Sequence, residues 1–181
     1  MTTLRTTLRL VDSAVLAPVY RDPQGRLRLV FIRRSPHGVH GGQIAFPGGR
    51  RDPGDANLLA TALREAEEEI GLEPQRVQVL AELPIVPTVA TGFRIAPFLG
   101  RLAGAPPTWR RQETEIEEIL EVPVEDLARP SAHAEEQWQL PGWSAPRSIP
   151  FYRIGPYKLW GATYRIVEPL LPRLLAGEWM I

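Results

Sequence analysis

The fold is decided by residues 46–72, FPGGRRDPGDANLLATALREAEEEIGL. From about residue 57 to residue 70, apolar side chains recur at three- and four-residue spacing, which predicts a helix with one buried face. These side chains are Leu59, Ala62, Leu63, Ala66 and Ile70. Asp55 is the predicted N-cap, and Gly71 is predicted to end the helix. The Gly-Gly loop before the helix lets bare backbone approach a metal ion or a phosphate.

Three glutamates share one side of this predicted helix. Glu65, Glu68 and Glu69 fall within roughly 100° of arc, because residues three and four positions apart are helix neighbours. Clustered carboxylates attract a cation, and hard oxygen ligands are preferred by Mg²⁺ and Mn²⁺. The alternative is a solvated acidic face, which the carboxylates alone would favour. The glycine pair, the arginine within the helix and the glycine that ends it together favour the metal site.

This stretch resembles the Nudix hydrolase signature, G-x5-E-x7-R-E-U-x-E-E-x-G-U with U apolar. Residues 64–72, REAEEEIGL, satisfy its last nine positions. The first part departs from it, because Asp55 stands where the signature has Glu, and eight residues instead of seven separate it from Arg64. The resemblance implies an α/β/α sandwich with a mixed central sheet and a catalytic loop-helix-loop.

The rest of the chain predicts an α+β fold in a single domain, residues 1–181. Strands are predicted at 4–10, 13–20, 27–32, 76–83, 92–102, 147–154 and 157–160. Residues 113–122 read as a loop entering a strand, residues 124–128 as one helical turn, and residues 161–175 as a last helix interrupted or kinked by two prolines. Residues 132–150 are rich in Trp, Pro and Gly and are mostly left unassigned.

Composition excludes several classes of function. Acidic and basic residues are equal at 21 each, so no overall charge attracts nucleic acid or anionic membranes. Without cysteine there are no disulfides, thiolate nucleophiles or cysteine zinc sites. No apolar run reaches the roughly 20 residues of a membrane span, and no signal-peptide core begins the chain. We therefore expect a soluble, cytoplasmic protein with neither nucleic acid nor membrane as partner.

Residues around the signature are similar to the coenzyme A pyrophosphatase subgroup of Nudix hydrolases. The similar positions are 34–35, His40, 42–49, Asp52, Asp55, 61–66, 84–100 and 159–163. The loop at 35–42 is one residue shorter than in that subgroup, and Gly38 or Val39 stands where it usually carries Arg. The resemblance implies hydrolysis of coenzyme A or acyl-coenzyme A to adenosine 3′,5′-bisphosphate and 4′-phosphopantetheine. Two alternatives are hydrolysis of dinucleotides, nucleotide sugars or damaged nucleoside triphosphates, and a nucleotide-binding regulator without catalysis.

The resemblance and the chemistry of the side chains predict which residues form the active site. The catalytic candidates are Arg64, Glu68, Glu69 and Glu115, and the metal ligands are the Gly49 carbonyl, Glu65, Glu68 and Glu69. Glu115 is the candidate base outside the helix, with an ordinary solvated acid as the alternative. The substrate-binding candidates are Arg33, Arg34, Ser35, Gln43 and Gly48, and a solvated strand end is the alternative for each arginine. The expected partner is a small nucleotide substrate, and a homodimer is one option for the assembly.

Overall fold

The computed structural model describes residues 10–37, 40–88, 92–104, 108–140 and 142–181. In chain order its elements are β1 Val11–Arg21, β2 Leu27–Arg34, β3 Ile44–Ala45, β4 Gly48–Arg50, α1 Leu58–Ile70, β5 Val77–Glu82, β6 Val86–Thr88, β7 Phe93–Leu102, β8 Ile116–Pro123, α2 Val124–Ala128, β9 His133–Trp138, β10 Arg147–Ile154, β11 Tyr157–Trp160 and α3 Gly161–Leu175. The described residues leave out most of the strand predicted at 4–10. They also leave out Gly38, Val39 and residues 89–91.

The central sheet is mixed and, in the part of the chain that the structure describes, has eight strands. β1 lies in its middle, antiparallel to β2 and parallel to β7. Strand β2 also pairs with β3 and β8. Strand β7 also pairs with β5 and β6, and β1 also pairs with β4. A parallel pair requires a crossover connection, and α1 is in that crossover. β9, β10 and β11 form a second, antiparallel sheet.

Alternate side chains of β1 face the two sides of the sandwich, because successive residues of a strand point to opposite faces. Ala14 and Leu16 pack in the core that contains the apolar stripe of α1. Ala17 and Val19 pack in the other core, with α2 and α3. All four side chains are fully buried. The predicted α+β sandwich with a mixed sheet is confirmed.

The predicted helix of the signature is α1, but its N-cap prediction was wrong. Asn57 is the N-cap, and its side chain accepts a hydrogen bond from the N–H of Ala60 at 2.9 Å. Asp55 is instead buried and bonded to other groups of the site. Gly71 ends the helix with φ of 70°, as predicted, and its N–H donates to the carbonyl of Glu67.

The C-terminal elements have the predicted bounds for the hairpin of β10 and β11 and for α3. α3 continues through both prolines, so the prediction of an interruption was wrong. Pro169 and Pro172 lie on its exposed side, while residues such as Ile166 and Leu170 face the core. β9 occupies part of the stretch left unassigned at 132–150. No helix among the described residues is long and apolar enough to cross a membrane.

Candidate active site

A cavity of roughly 380 Å³ lies where β4, the side chains of α1 and the beginning of α3 approach one another. Its acidic lining comes from Glu65 and Glu69 of α1 and from Glu115 of the loop before β8. Its apolar lining includes Phe93, Ile95, Trp160 and Ile166. Carboxylates from one side of the sheet therefore reach a cavity that α3 closes on the other.

Gly48 and Gly49 make this approach possible. A Cβ at position 49 would collide with the carboxylate of Glu65. A Cβ at position 48 would collide with the backbone of Ala14, and the φ of 154° at Gly48 is in any case unfavourable for other residues. The N–H of Gly48 donates to Oε2 of Glu69 at 2.8 Å. The glycine pair thus brings bare backbone against two carboxylates of α1.

Glu69 is an acid buried beneath the loop, with 2% of its surface exposed. Burial raises the pKa of Glu69 to about 7, and the charges of Glu65 and Glu115 act in the same direction. Arg34 and the N–H of Gly48 oppose this rise. Nη2 of Arg34 lies 3.8 Å from Oε1 of Glu69 and donates to the carbonyl of Gly48 at 3.1 Å. A further cation beside Glu69 would favour its charged form.

Arg64 joins the two ends of the loop-helix segment. Its Nε and Nη2 donate to the two carboxylate oxygens of Asp55, each at 3.0 Å. Its Nη1 donates to Oε1 of Glu65 and to Oε2 of Glu68, also at 3.0 Å. Arg64 therefore fixes the carboxylates of two predicted metal ligands, while Asp55 fixes Arg64.

Asp55 has the role of an anchor for the lengthened loop. Its Oδ2 also accepts hydrogen bonds from Oγ1 of Thr61 at 2.8 Å and from the N–H of Asp52 at 2.9 Å. Hydrogen bonds from Arg64 hold the pKa of Asp55 well below its usual range. The aspartate thus reaches Arg64 from a loop that carries one more residue than the signature.

The acidic lining has the donor chemistry for a divalent cation. Glu65, Glu69 and Glu115 supply carboxylate oxygens, and Gly49 lies against Glu65. Burial raises the pKa of Glu65 as well as that of Glu69, so both carboxylates lack sufficient compensating positive charge. Such oxygen donors suit Mg²⁺ or Mn²⁺.

Glu68 lies outside this lining. Its side chain is 56% exposed and its carboxylate is directed to Arg64. Among the residues that the structure describes, no three His, Asp or Glu side chains are already gathered in the arrangement of a metal site. The structure thus brings Glu65 and Glu69 together at the cavity and places Glu68 at its outer side, one helical turn from Glu65.

The sequence model of the NUDIX domain matches residues 11–142, which is more than half of the chain. The chain belongs to the Nudix family. Nudix hydrolase NudL of Salmonella paratyphi B, described as uncharacterized, is 43% identical over 122 residues, 65% of this chain and 60% of the relative. The chain thus spans about 60% of the length of the curated Nudix relatives it matches. Nudix hydrolases generally use divalent metal ions.

Solved structures show the same Nudix fold at low sequence identity. The Nudix hydrolase RenU of M. smegmatis has a TM-score of 0.65 and 18% identity, and the match covers 94% of this chain and 89% of that one. The Ap4A hydrolase of C. elegans, in a binary complex, has a TM-score of 0.54 and 19% identity, with 65% and 82% of the two chains covered.

In this Nudix fold, backbone hydrogen bonds attach the loop that carries Glu115 to the end of α1 and to the residue after β2. The N–H of Gln112 donates to the carbonyl of Glu69 at 2.9 Å. The N–H of Ser35 donates to the carbonyl of Glu115 at 2.7 Å. Ser35 is buried and does not line the cavity, so its contribution in this structure is to hold the Glu115 loop.

Arg33 and Arg34 lie on opposite sides of β2. Arg34 lines the cavity, as do Gln43 and Gly48. Arg33 does not; its Nε lies 3.3 Å from Oε2 of Glu118, and its guanidinium lies over the ring of Tyr157 at 5.0 Å. Both arginines were predicted from the sequence to bind substrate, but only Arg34 lines the cavity.

Arg50, Phe93 and Trp160 line the cavity but were not among the predicted site residues. Arg50 directly follows the glycine pair, and Trp160 directly precedes α3. β4 has three residues, too few for an alternating pattern to indicate which way Arg50 points. Phe93 is brought near it by pairing of β1 with both β4 and β7. Such long-range pairing has no local sequence pattern.

Proposed function

We propose that this protein hydrolyses the pyrophosphate bond of coenzyme A or acyl-coenzyme A in the presence of Mg²⁺ or Mn²⁺. The products would be adenosine 3′,5′-bisphosphate and 4′-phosphopantetheine. The observation that carries the proposal is the convergence of Glu65, Glu69, Glu115 and the Gly48-Gly49 backbone on one cavity. A regulator that only bound nucleotides would have no need for a carboxylate as buried as that of Glu69, whose desolvation costs free energy.

The side chains of the site have different roles in the proposed reaction. Glu65, Glu68, Glu69 and the carbonyl of Gly49 would hold the divalent cation, which neutralises the pyrophosphate and activates water. Arg64 orients Glu65 and Glu68 through the hydrogen bonds described above. Glu115 is the candidate base, because it lines the cavity at the end of a loop fixed to α1 and β2.

The choice of coenzyme A rests on the subgroup resemblance and on the two-sided lining of the cavity. A pyrophosphate would lie beside the acidic lining, where a divalent cation held by these carboxylates would neutralise its charge. Phe93, Ile95, Trp160 and Ile166 offer apolar surface next to that position. A substrate that carries an adenosine on one side of its pyrophosphate and, on the other, a pantetheine arm with methyl and methylene groups matches this combination.

A substrate panel with identification of the products tests the proposal. Coenzyme A, acyl-coenzyme A, NADH, ADP-ribose, Ap4A, a nucleotide sugar and nucleoside triphosphates are compared by kcat/KM with Mg²⁺ and with Mn²⁺. We expect coenzyme A or its acyl form to have the highest kcat/KM. A higher value for a dinucleotide, a nucleotide sugar or a triphosphate would assign the other Nudix chemistry. Binding without hydrolysis of any of them would assign the regulator.

A further inference from the structure

Arg50 is a cation at the cavity whose donors are not used by any carboxylate of the described residues. Its side chain is exposed and lines the cavity. Within the described ranges, Arg50 makes no ion pair, whereas Arg34, the other arginine of the lining, lies near Glu69 and bonds to Gly48. A guanidinium has five N–H donors in a planar fork, which suits a phosphate group. Arg50 therefore has donors for an anion that no ion pair within the described ranges engages, whereas Arg34 already contacts a carboxylate and a backbone carbonyl.

Phe93 holds Arg50 in this position. The guanidinium carbon of Arg50 lies 5.1 Å from the centre of the Phe93 ring, within the range of a cation–π contact. The backbone of Phe93 is itself fixed, since its N–H donates to Oγ1 of Thr88 at 3.0 Å across the β6–β7 pair. Arg50 is fixed through β4, where it pairs with Ser13. Both side chains thus extend from rigid strands.

The position of Arg50 complements the acidic lining. Its neighbour Gly49 lies against Glu65, and its own carbonyl accepts a hydrogen bond from Arg64 at 3.2 Å. Carboxylates can bind a phosphate only through an intervening cation, so they suit the pyrophosphate that is hydrolysed. A phosphate elsewhere on the substrate would form charge-assisted hydrogen bonds with a positive side chain of the protein, and Arg50 is such a side chain beside the same cavity.

We propose that Arg50, positioned by Phe93, binds a phosphate monoester of the substrate that lies outside the hydrolysed pyrophosphate. The proposal rests on the proposed function and narrows its substrate class to nucleotides that carry an additional phosphate. It also assigns this contact to Arg50 in place of Arg33, which lies away from the cavity, and Arg34, which is engaged with Gly48 and Glu69.

The first test compares kcat/KM for coenzyme A and for dephospho-coenzyme A, which differ by one phosphate monoester. We expect wild type to prefer coenzyme A by about tenfold or more, the magnitude of one charge-assisted contact, and Arg50→Ala to lose this preference. Arg50→Lys should retain part of it, and Phe93→Leu should reduce it without abolishing hydrolysis. Arg94→Ala is the matched control, because Arg94 follows Phe93 in β7 but pairs with Asp12 and lies outside the lining.

The second test is independent of hydrolysis. Calorimetry measures binding of adenosine 3′,5′-bisphosphate and of AMP to wild type, Arg50→Ala and Arg94→Ala, whose folding is checked by thermal unfolding. We expect the bisphosphate to bind about tenfold more tightly than AMP to wild type and Arg94→Ala but not to Arg50→Ala. Equal binding of the two ligands by wild type, or an unchanged preference in Arg50→Ala, would overturn the inference. Preferential binding by a wild type that hydrolyses no pyrophosphate would refute the proposed function alone.

Discussion

Asp22 and Asp55 are two buried aspartates held by arginines in different regions of the molecule. Asp22 lies in the turn between β1 and β2 and accepts hydrogen bonds from Nε of Arg26 at 2.9 Å and Nε of Arg28 at 2.8 Å. Asp55 lies before α1 and accepts two hydrogen bonds from Arg64. Burial by itself would raise the pKa of Asp22, but hydrogen bonds from these arginines outweigh it and lower the pKa to about 2.

The two clusters differ in what their arginines contact next. Nη1 of Arg28 donates to the carbonyl of Glu121 at 2.8 Å, so this cluster ties a turn to the neighbouring strand. Nη1 of Arg64 donates to the carboxylates of Glu65 and Glu68. The same chemical unit therefore closes a turn in one region and orients candidate metal ligands in the other. A buried Asp–Arg pair alone is no evidence of a functional site.

The largest effect should come from Glu68→Gln, which changes a carboxylate bonded to Arg64 in the Asp55 cluster. We expect kcat with Mg²⁺ to fall on the order of a thousandfold, because removing the charge of a proposed ligand would cost about 4 kcal/mol of transition-state stabilisation. Glu67→Gln is the control, since Glu67 is exposed on another side of α1. Steady-state kinetics measure both variants. A Glu68→Gln enzyme with wild-type rates would show that Glu68 serves only as a partner of Arg64.

Asp55→Asn should affect both rate and stability. The neutral amide weakens the two hydrogen bonds from Arg64, so Glu65 and Glu68 lose their orientation and kcat/KM falls by about 10- to 100-fold. The free energy of unfolding should fall by about 1.5–3 kcal/mol, the contribution of a hydrogen bond to a charged group. Urea unfolding and kinetics give the two values. A loss of stability with an unchanged rate would make the Asp55 cluster equivalent to the Asp22 cluster.

Asp22→Asn should affect stability alone. Asn cannot provide the charge that Arg26 and Arg28 contact, so the midpoint of urea unfolding at pH 7 should decrease. The kcat/KM should equal that of wild type, because Asp22 lies outside the cavity lining. A reduced rate in this variant, at a temperature where it is fully folded, would contradict the distinction between the clusters.

The smallest effect concerns the dependence of stability on pH. The pKa of Asp22 is lowered from 3.8 to about 2, so its stabilising contribution is fully present above about pH 4 and is lost as the pH falls toward 2. The difference in unfolding midpoint between wild type and Asp22→Asn should therefore shrink over this interval. Urea unfolding at pH 2, 3, 4 and 6 measures it. A difference that is the same at every pH would refute the role of the Asp22 charge.

Regular patterns allowed the sequence to predict most of the fold. The three- and four-residue spacing predicted α1, and Gly155 between two apolar runs predicted the hairpin of β10 and β11. β9 was missed because its sequence, HAEEQW, is mostly polar and its alternation is between exposed and half-buried side chains. The N-cap was assigned wrongly because Asp55 and Asn57 are both good caps, and the contacts of Asp55 with Arg64 and Thr61 are not visible in the sequence.

The site was less predictable than the fold. The signature located Glu65 and Glu69, which line the cavity, because their spacing on one helix is local information. The sides to which Arg33 and Arg34 project depend on the pairing of β2 with β3 and β8, which has no local pattern. The contact between Arg50 and Phe93 joins strands that are far apart in the chain. Site residues supplied by long-range pairing need the structure.

The attachment of the Glu115 loop to the end of α1 has a consequence for local unfolding. The carbonyls of Glu69 and Ile70, near the end of the helix, accept the N–H groups of Gln112 and Arg110. The last turn of α1 cannot fray without breaking these bonds, and the loop cannot leave without exposing those carbonyls. The helix end and the loop therefore form one cooperative unit, in which amide hydrogens would exchange with solvent through a shared opening.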